Sequence, residues 1–233
     1  MSQSESLFAV SEAWRSAFPG AAAGVLAIRG VTNPERHDGL EQRKQELVAR
    51  LRDRYAGFDR EALAALPVIR AYSTYTRRFK KTYHVALQLE SLVLKGKPIP
   101  GIAALVEAMF MSELEDLLLT AGHDLDTLAG MVTLNVSSGS ERYTLLRGEE
   151  QQLKAGDMYM ADEMGVISSV IYGPDQRTQI TPATRNVLFA VYAPPGIGEQ
   201  AVREHLDHIE ANVRCIAPDS IVTLSEAVTA SVL

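Results

Sequence analysis

The sequence predicts a mixed helix-and-strand protein in which helices come first and strands second. Apolar residues recur at helical intervals over Ile102 to Leu119, through Ile102, Leu105, Val106, Met109, Phe110, Leu114, Leu117 and Leu118. The period then falls to two: Val132, Leu134 and Val136 alternate, as do Tyr143 and Leu145. Between the two regimes lies Thr120-Ala121-Gly122-His123-Asp124-Leu125-Asp126, a connection rich in glycine and acids. Its glycine permits a tight turn or a close approach, and its histidine can move a proton near neutral pH. The two acids are placed to orient that imidazole or to cap the next turn. The same tripeptide also reads as plain turn chemistry.

Taken in order, Ser11-Glu12-Ala13-Trp14 opens a short helix that Pro19-Gly20 ends. Gly24 to Val31 reads as a strand. Gly20, Gly24 and Gly30 lack the spacing of a dinucleotide fingerprint. Leu40 to Phe58 is helical, with Leu40, Leu47, Val48, Leu51, Tyr55 and Phe58 on one face and a charged, solvated face opposite. Asp59 is placed to cap a short helix over Glu61 to Leu66. Tyr72, Tyr75 and Phe79 sit among cations, as a stacking surface or as the apolar side of a helix. Val85 to Leu94 is helical, and Lys95 to Gly101 is a stiff loop. In the Ile102–Leu119 helix, Glu107, Glu113, Glu115 and Asp116 fall mainly off the apolar face. Strands are expected at Met158 to Ala161, Val166 to Tyr172 and Asn186 to Ala193, with Pro194-Pro195-Gly196 ending the sheet. Glu199 to Ile216 is a last helix. Its His205 and His208 read as a wet surface pair without a third ligand, so no metal is expected. From Ser220 onward the chain reads as a partly ordered tail.

The 233 residues are 46% hydrophobic and 22% charged, ordinary values for a globular protein of one large or two small domains. One cysteine, Cys215, excludes an intrachain disulfide. Met1-Ser2-Gln3-Ser4-Glu5 has no signal character, and no early apolar run is long enough to span a bilayer, so a cytoplasmic protein without membrane partners is expected. Net charge is −6, against bulk nucleic-acid affinity. Yet Arg70, Arg77, Arg78, Lys80, Lys81, Lys95 and Lys97 face only Glu90 between them, a window of +6 on a remainder of −12. Such a strip is what a phosphate backbone requires, and equally what a solvated helix face looks like.

From residue 67 to 194 the order of pieces is specific. It comprises the basic helix, the Lys95-Gly96-Lys97-Pro98-Ile99-Pro100 loop and the Val106-Glu107 helix, then the Asp-Leu-Asp segment. The Leu153–Asp157 turn, Met160-Ala161-Asp162 and Thr181-Pro182-Ala183-Thr184-Arg185-Asn186-Val187-Leu188 follow. This order resembles the tRNA-editing (B-three/B-four) domain of the bacterial phenylalanyl-tRNA synthetase beta subunit, in a free-standing form. The resemblance implies an α+β fold with a beta-sandwich-like sheet core and packed helices. It divides the chain into an N-terminal strand and helices packed on the core (1–66), an editing-like domain (67–216) and a C-terminal tail (217–233). The implied activity is hydrolysis of the ester of mischarged tRNA, with no cofactor.

The departures are specific too. The family's histidine, three residues ahead of Asp-Leu-Asp, falls on Ala121, and His123 lies two residues later. The family's tyrosine-reading glutamate falls on Ala190 and its Thr-Asn pair on Met109-Phe110. Ser168, Ser169, Tyr172 and Gly173 replace a glycine-rich strand and loop. Tyrosine is therefore not the expected substrate. The resulting expectation makes His123 the catalytic group that orients or deprotonates water. Thr120, Gly122, Asp124, Ser168, Ser169 and Tyr172 bind the substrate, and Arg77, Arg78, Lys80, Lys81, Lys95 and Lys97 hold the tRNA. Two alternatives stand beside it: a non-catalytic module binding tRNA or an amino acid, and an accessory subunit of a synthetase-like complex. The oligomeric state is left open.

Overall fold

The computed structural model describes residues 7–230, so the reading of Met1 to Glu5 lies outside the described residues. In chain order the elements are β1 (Phe8–Val10), α1 (Glu12–Ala17), β2 (Ala22–Arg29), α2 (Asp38–Arg54), α3 (Arg60–Ala64), α4 (Pro67–Arg77), α5 (His84–Val93), α6 (Ala104–Asp116), β3 (Leu119–Asp124), a short 3-10 turn (Leu125–Thr127), β4 (Val132–Val136), β5 (Arg142–Thr144), β6 (Glu150–Gln152), β7 (Met158–Asp162), β8 (Gly165–Ser169), β9 (Gly173–Pro174), β10 (Asn186–Ala193), α7 (Glu199–Ile216) and β11 (Ile221–Thr229).

The fold is α+β. One sheet runs β11-β2-β10-β3 and is wholly antiparallel. A second runs β1-β4-β7-β8-β9, antiparallel except for the parallel β1–β4 pair. Strand β10 is buried along most of its length, as its run Val187 to Ala193 requires. Helices cover one face of its sheet. A Cβ on Gly24 of β2 would lie 2.6 Å from Val202 Cγ1 of α7, so the missing side chain is what lets the helix seat there. The second sheet covers the opposite face. Segment 1–66 supplies β2 and segment 217–233 supplies β11, so both are strands of the same sheet as β10.

Local chemistry explains most boundaries. Ser11, His37 and Asp59 accept hydrogen bonds from Trp14 N, Leu40 N and Ala62 N and start α1, α2 and α3. Pro67 takes the first position of α4. That helix ends with Lys80 left-handed at φ 57° and Lys81 N bonded back to Thr76 O at 3.1 Å.

Four expectations need correction. The 102–119 helix stops at Asp116, because Leu117 is left-handed at φ 62° and turns the chain into a strand. The central heptapeptide is mostly that strand, β3, rather than a turn. Residues 221–229 are strand β11, paired along β2, in place of the expected loose tail. The polar side of α2 is not all solvated: Lys44 is buried between Glu41 at 2.7 Å and Glu107 at 3.2 Å. Helix α6 is enclosed on most sides, which buries Glu107 and Glu113 as well. No helix among the described residues is long and apolar enough to cross a membrane.

Candidate functional site

Alternation along β3 divides the expected site between two faces of its sheet. His123 and Ala121 point toward the second sheet, whereas Thr120, Gly122 and Asp124 point toward the helical side. The sequence places these residues side by side; the pleat separates them.

On the sheet side, His123 is fully buried and both ring nitrogens are engaged. Its Nδ1 lies 2.7 Å from Thr178 Oγ1 and its Nε2 3.2 Å from Ser168 Oγ. Thr178 Oγ1 donates to the Asp175 carboxylate, so it must accept from His123 Nδ1. Nε2 then accepts from Ser168, whose oxygen accepts in turn from the Tyr192 hydroxyl at 2.6 Å. The chain Tyr192–Ser168–His123–Thr178–Asp175 therefore runs in one direction and ends on an acid. Each buried polar group is satisfied, and the imidazole is fixed as the neutral Nδ1–H tautomer. Burial pushes its pKa down to about 3, and the nearby positive charge of Arg177 works in the same direction. A second proton would place an unpaired charge in this fully buried site.

For the expectation that His123 handles the attacking water, this arrangement leaves no free lone pair on the ring. The lone pair that would accept a proton already accepts one from Ser168. The position where the resemblance puts its histidine is Ala121, and it pairs in register with Ala190, the place of the family's glutamate. Both are buried alanines. No acid or base stands at that pair.

On the helical side a second buried network forms. Thr120 Oγ1 lies 2.7 Å from His205 Nε2, and His205 Nδ1 lies 2.7 Å from Asp116 Oδ2. His208 Nδ1 reaches the same carboxylate at 2.9 Å. His205 is fully buried, so the two histidines are not the wet pair the sequence suggests. Both histidines hold the Asp116 pKa below its ordinary value against the opposing effect of burial. Glu113 accepts from Thr120 N at 2.7 Å; burial pushes its pKa up to about 8. Among the described residues no group of three or more His, Cys, Asp or Glu is arranged to hold a metal. Asp124 accepts from Asp126 N at 3.0 Å and from Thr184 Oγ1 at 2.7 Å, which pins the end of β3.

Ser169 and Tyr172 belong to a third cluster. Tyr172 N donates to Ser169 Oγ at 3.1 Å, and buried Asp157 accepts from the Tyr75 hydroxyl at 2.6 Å. Burial raises the Asp157 pKa to about 6. Tyr172 is half-buried, with Lys81 Nζ 5.6 Å from its ring centroid. Arg77, Arg78, Lys80 and Lys81 are exposed together at the end of α4. Lys95 is drawn to Glu90 at 2.9 Å, beyond α5, whose ten residues measure about 15 Å. Lys97 sits in the same distant loop. The strip is therefore one compact cluster plus a separate pair.

Several partners in these networks carry no sequence signal. Thr178 and Asp175 lie in an irregular loop, and Tyr192 reads only as a strand residue. Glu113 and Asp116 read as the polar side of a helix.

Residues 68–215 match the family model of the B3/4 domain. Over 69 residues the chain is 35% identical to the phenylalanine–tRNA ligase beta subunit of Mycoplasma pneumoniae and 30% identical to that of Mycoplasma genitalium. Each match covers 30% of this chain and only 9% of the relative's length. An N-terminal fragment of the phenylalanyl-tRNA synthetase beta-subunit from Pyrococcus horikoshii aligns at a TM-score of 0.49 and 12% identity, covering 96% of this chain and 56% of that one. Since the family model spans well over half of the chain, from residue 68 to residue 215, the protein belongs to the B3/4 domain family.

Proposed function

We propose that this B3/4 domain is a module that binds aminoacyl-tRNA, with recognition rather than His123 chemistry as its function. The observation that carries this reading is the cluster Arg77, Arg78, Lys80 and Lys81, exposed at the end of α4 on a chain of net charge −6. Cations gathered on one face of an otherwise acidic body suit a phosphate backbone, and half-exposed Tyr172 beside them suits a base or ribose. The curated relatives, tRNA ligase subunits, support the choice of tRNA. The test is tRNA binding measured across a salt series. Binding that weakens steeply with salt supports the reading, and no binding at low salt removes it.

A second reading is trans-editing, the hydrolysis of mischarged tRNA. It rests on membership of the B3/4 domain family, since residues 121 and 190, opposite each other in the β3–β10 ladder, are both alanine. An ester is already activated, so a positioned water and an oxyanion site would suffice. A panel of mischarged tRNAs separates the readings. Amino acid released from any of them selects hydrolysis; retained ester on bound tRNA selects recognition.

A further inference from the structure

Pro67, Arg70, Ala71, Thr74, Tyr75 and Arg78 recur at intervals of three and four, so they share one face of α4 and the turn after it. That face is the floor of a cleft of about 570 Å³. Phe18 and Pro19, after α1, form one wall, and the Pro194-Pro195-Gly196 turn after β10 forms the other. The walls are rigid, because prolines fix their own backbone.

The charge of the cleft is one-sided. No Asp or Glu lines it. Arg70 and Arg78 are exposed, and neither takes part in an ion pair among the described residues. The Arg78 guanidinium lies 5.6 Å from the Phe18 and Tyr75 ring centroids and 5.5 Å from that of Phe79. Three rings hold it in place, so it is oriented before any ligand arrives. Arg70 stands eight residues earlier, about 12 Å along the helix at 1.5 Å per residue.

We propose that this cleft holds a single-stranded RNA segment of about two nucleotides, with its phosphates at Arg70 and Arg78. The ligand must be anionic at two separated points and apolar or planar between them. Successive nucleotides have that pattern, and single-stranded sites combine a cationic track with planar packing surfaces. A free amino acid does not fit, since its ammonium would meet no acid. A duplex is too wide for a cleft of this volume. The inference rests on the RNA-binding reading above and gives the unpaired end of that RNA a path.

The test uses the full chain and fluorescence anisotropy of a labelled, unstructured six-nucleotide RNA. Its competitors are a blunt RNA duplex and hexaglutamate. Arg70→Ala and Arg78→Ala are each expected to weaken oligonucleotide binding by roughly tenfold, the scale of one charged hydrogen bond. Arg78→Lys, which keeps the charge over the rings, should recover part of that affinity and controls for folding. Competition by duplex or hexaglutamate equal to that of the single strand would overturn the inference. So would unchanged affinity in both alanine variants. If intact tRNA binds while both variants bind it like the parent, only the cleft assignment falls; if neither tRNA nor oligonucleotide binds, the RNA reading falls with it.

Discussion

His123 donates from Nδ1 to Thr178 Oγ1 at 2.7 Å, and this hydrogen bond decides what the imidazole can do. It commits the only proton of the neutral ring to a hydroxyl whose own proton goes to Asp175. Nε2 of the neutral ring must then accept from Ser168, and burial penalises the charge that a second proton would bring. The expected NMR result is a His123 ring signal that does not titrate between pH 5 and 8. The folded pKa, depressed to about 3, lies below the ordinary value near 6.5. The unfolded chain therefore takes up the proton first, and the stability linked to His123 is complete above about pH 6.5 and lost as pH falls toward 3. His123→Ala should lower stability by about 2–4 kcal/mol through a cavity and orphaned hydroxyls, and leave tRNA binding per folded molecule within a few-fold. Loss of tRNA binding in a variant that melts like the parent would return His123 to a functional role.

Glu113 has the opposite sign. Its pKa is raised to about 8 by burial from an ordinary value near 4.5, so the folded state holds the proton more tightly. The associated stability is complete below about pH 4.5 and is lost as pH rises through 8, at up to about 1.4 kcal/mol per pH unit. Glu113→Gln keeps the shape and the acceptor for Thr120 N but cannot ionise. Its melting temperature relative to the parent should climb between pH 5 and 8 and level off above. Parallel melting curves for the two proteins over that range would show that Glu113 does not titrate there.

The distinction between these two residues and the elements around them shows what sequence can reveal. Strand β10 is legible over Asn186 to Ala193, since its apolar run and the Pro-Pro-Gly stop are local. So is α7, whose inward residues repeat every three or four positions. Strand β3 is not. Ala121, Gly122 and Asp124 are of types depleted in strands, and the buried polar residues Thr120 and His123 are supported by Ser168, Thr178 and His205, which lie far away in sequence. The two alanines at the family's polar positions are visible in the sequence; their direct pairing requires the register. For His123 the residue type suggests chemistry, while the closed hydrogen-bond chain that occupies it exists only in three dimensions.

The exposed cations give a prediction about binding. Arg78 is excluded from the variant because its packing over three rings would confuse charge with stability. Arg77→Glu, Lys80→Glu and Lys81→Glu combined should weaken tRNA binding and flatten its salt dependence, by a slope of about 0.7–0.9 for each phosphate no longer neutralised. Melting should shift little, because exposed charges contribute little to stability. An unchanged salt slope would identify the cluster as ordinary solvated surface.

Gly122 reads in the sequence as a glycine for a tight turn or a close approach, and the structure shows the close approach. It lies inside β3, opposite Phe189 in register. An added Cβ would come 2.7 Å from Ile180 Cδ1 and 3.3 Å from Met109 Sδ. Two effects of Gly122→Ala then oppose each other. Removing glycine's extra freedom in the unfolded chain stabilises by about 0.4–1 kcal/mol. Forcing a methyl into a filled apolar site costs about 1–3 kcal/mol. The atoms met are the movable ends of Ile180 and Met109, so most of the clash is relieved and Gly122→Ala should lower stability by no more than about 1 kcal/mol. Shortening the opposing side chain tests the cause. Ile180→Val removes the Cδ1 atom that makes the closest approach, so the double variant should be more stable than the two single effects added together predict. Chemical denaturation of the four proteins supplies this cycle. Strict additivity would mean that Gly122 is required by the strand's backbone and not by the neighbour that fills its place.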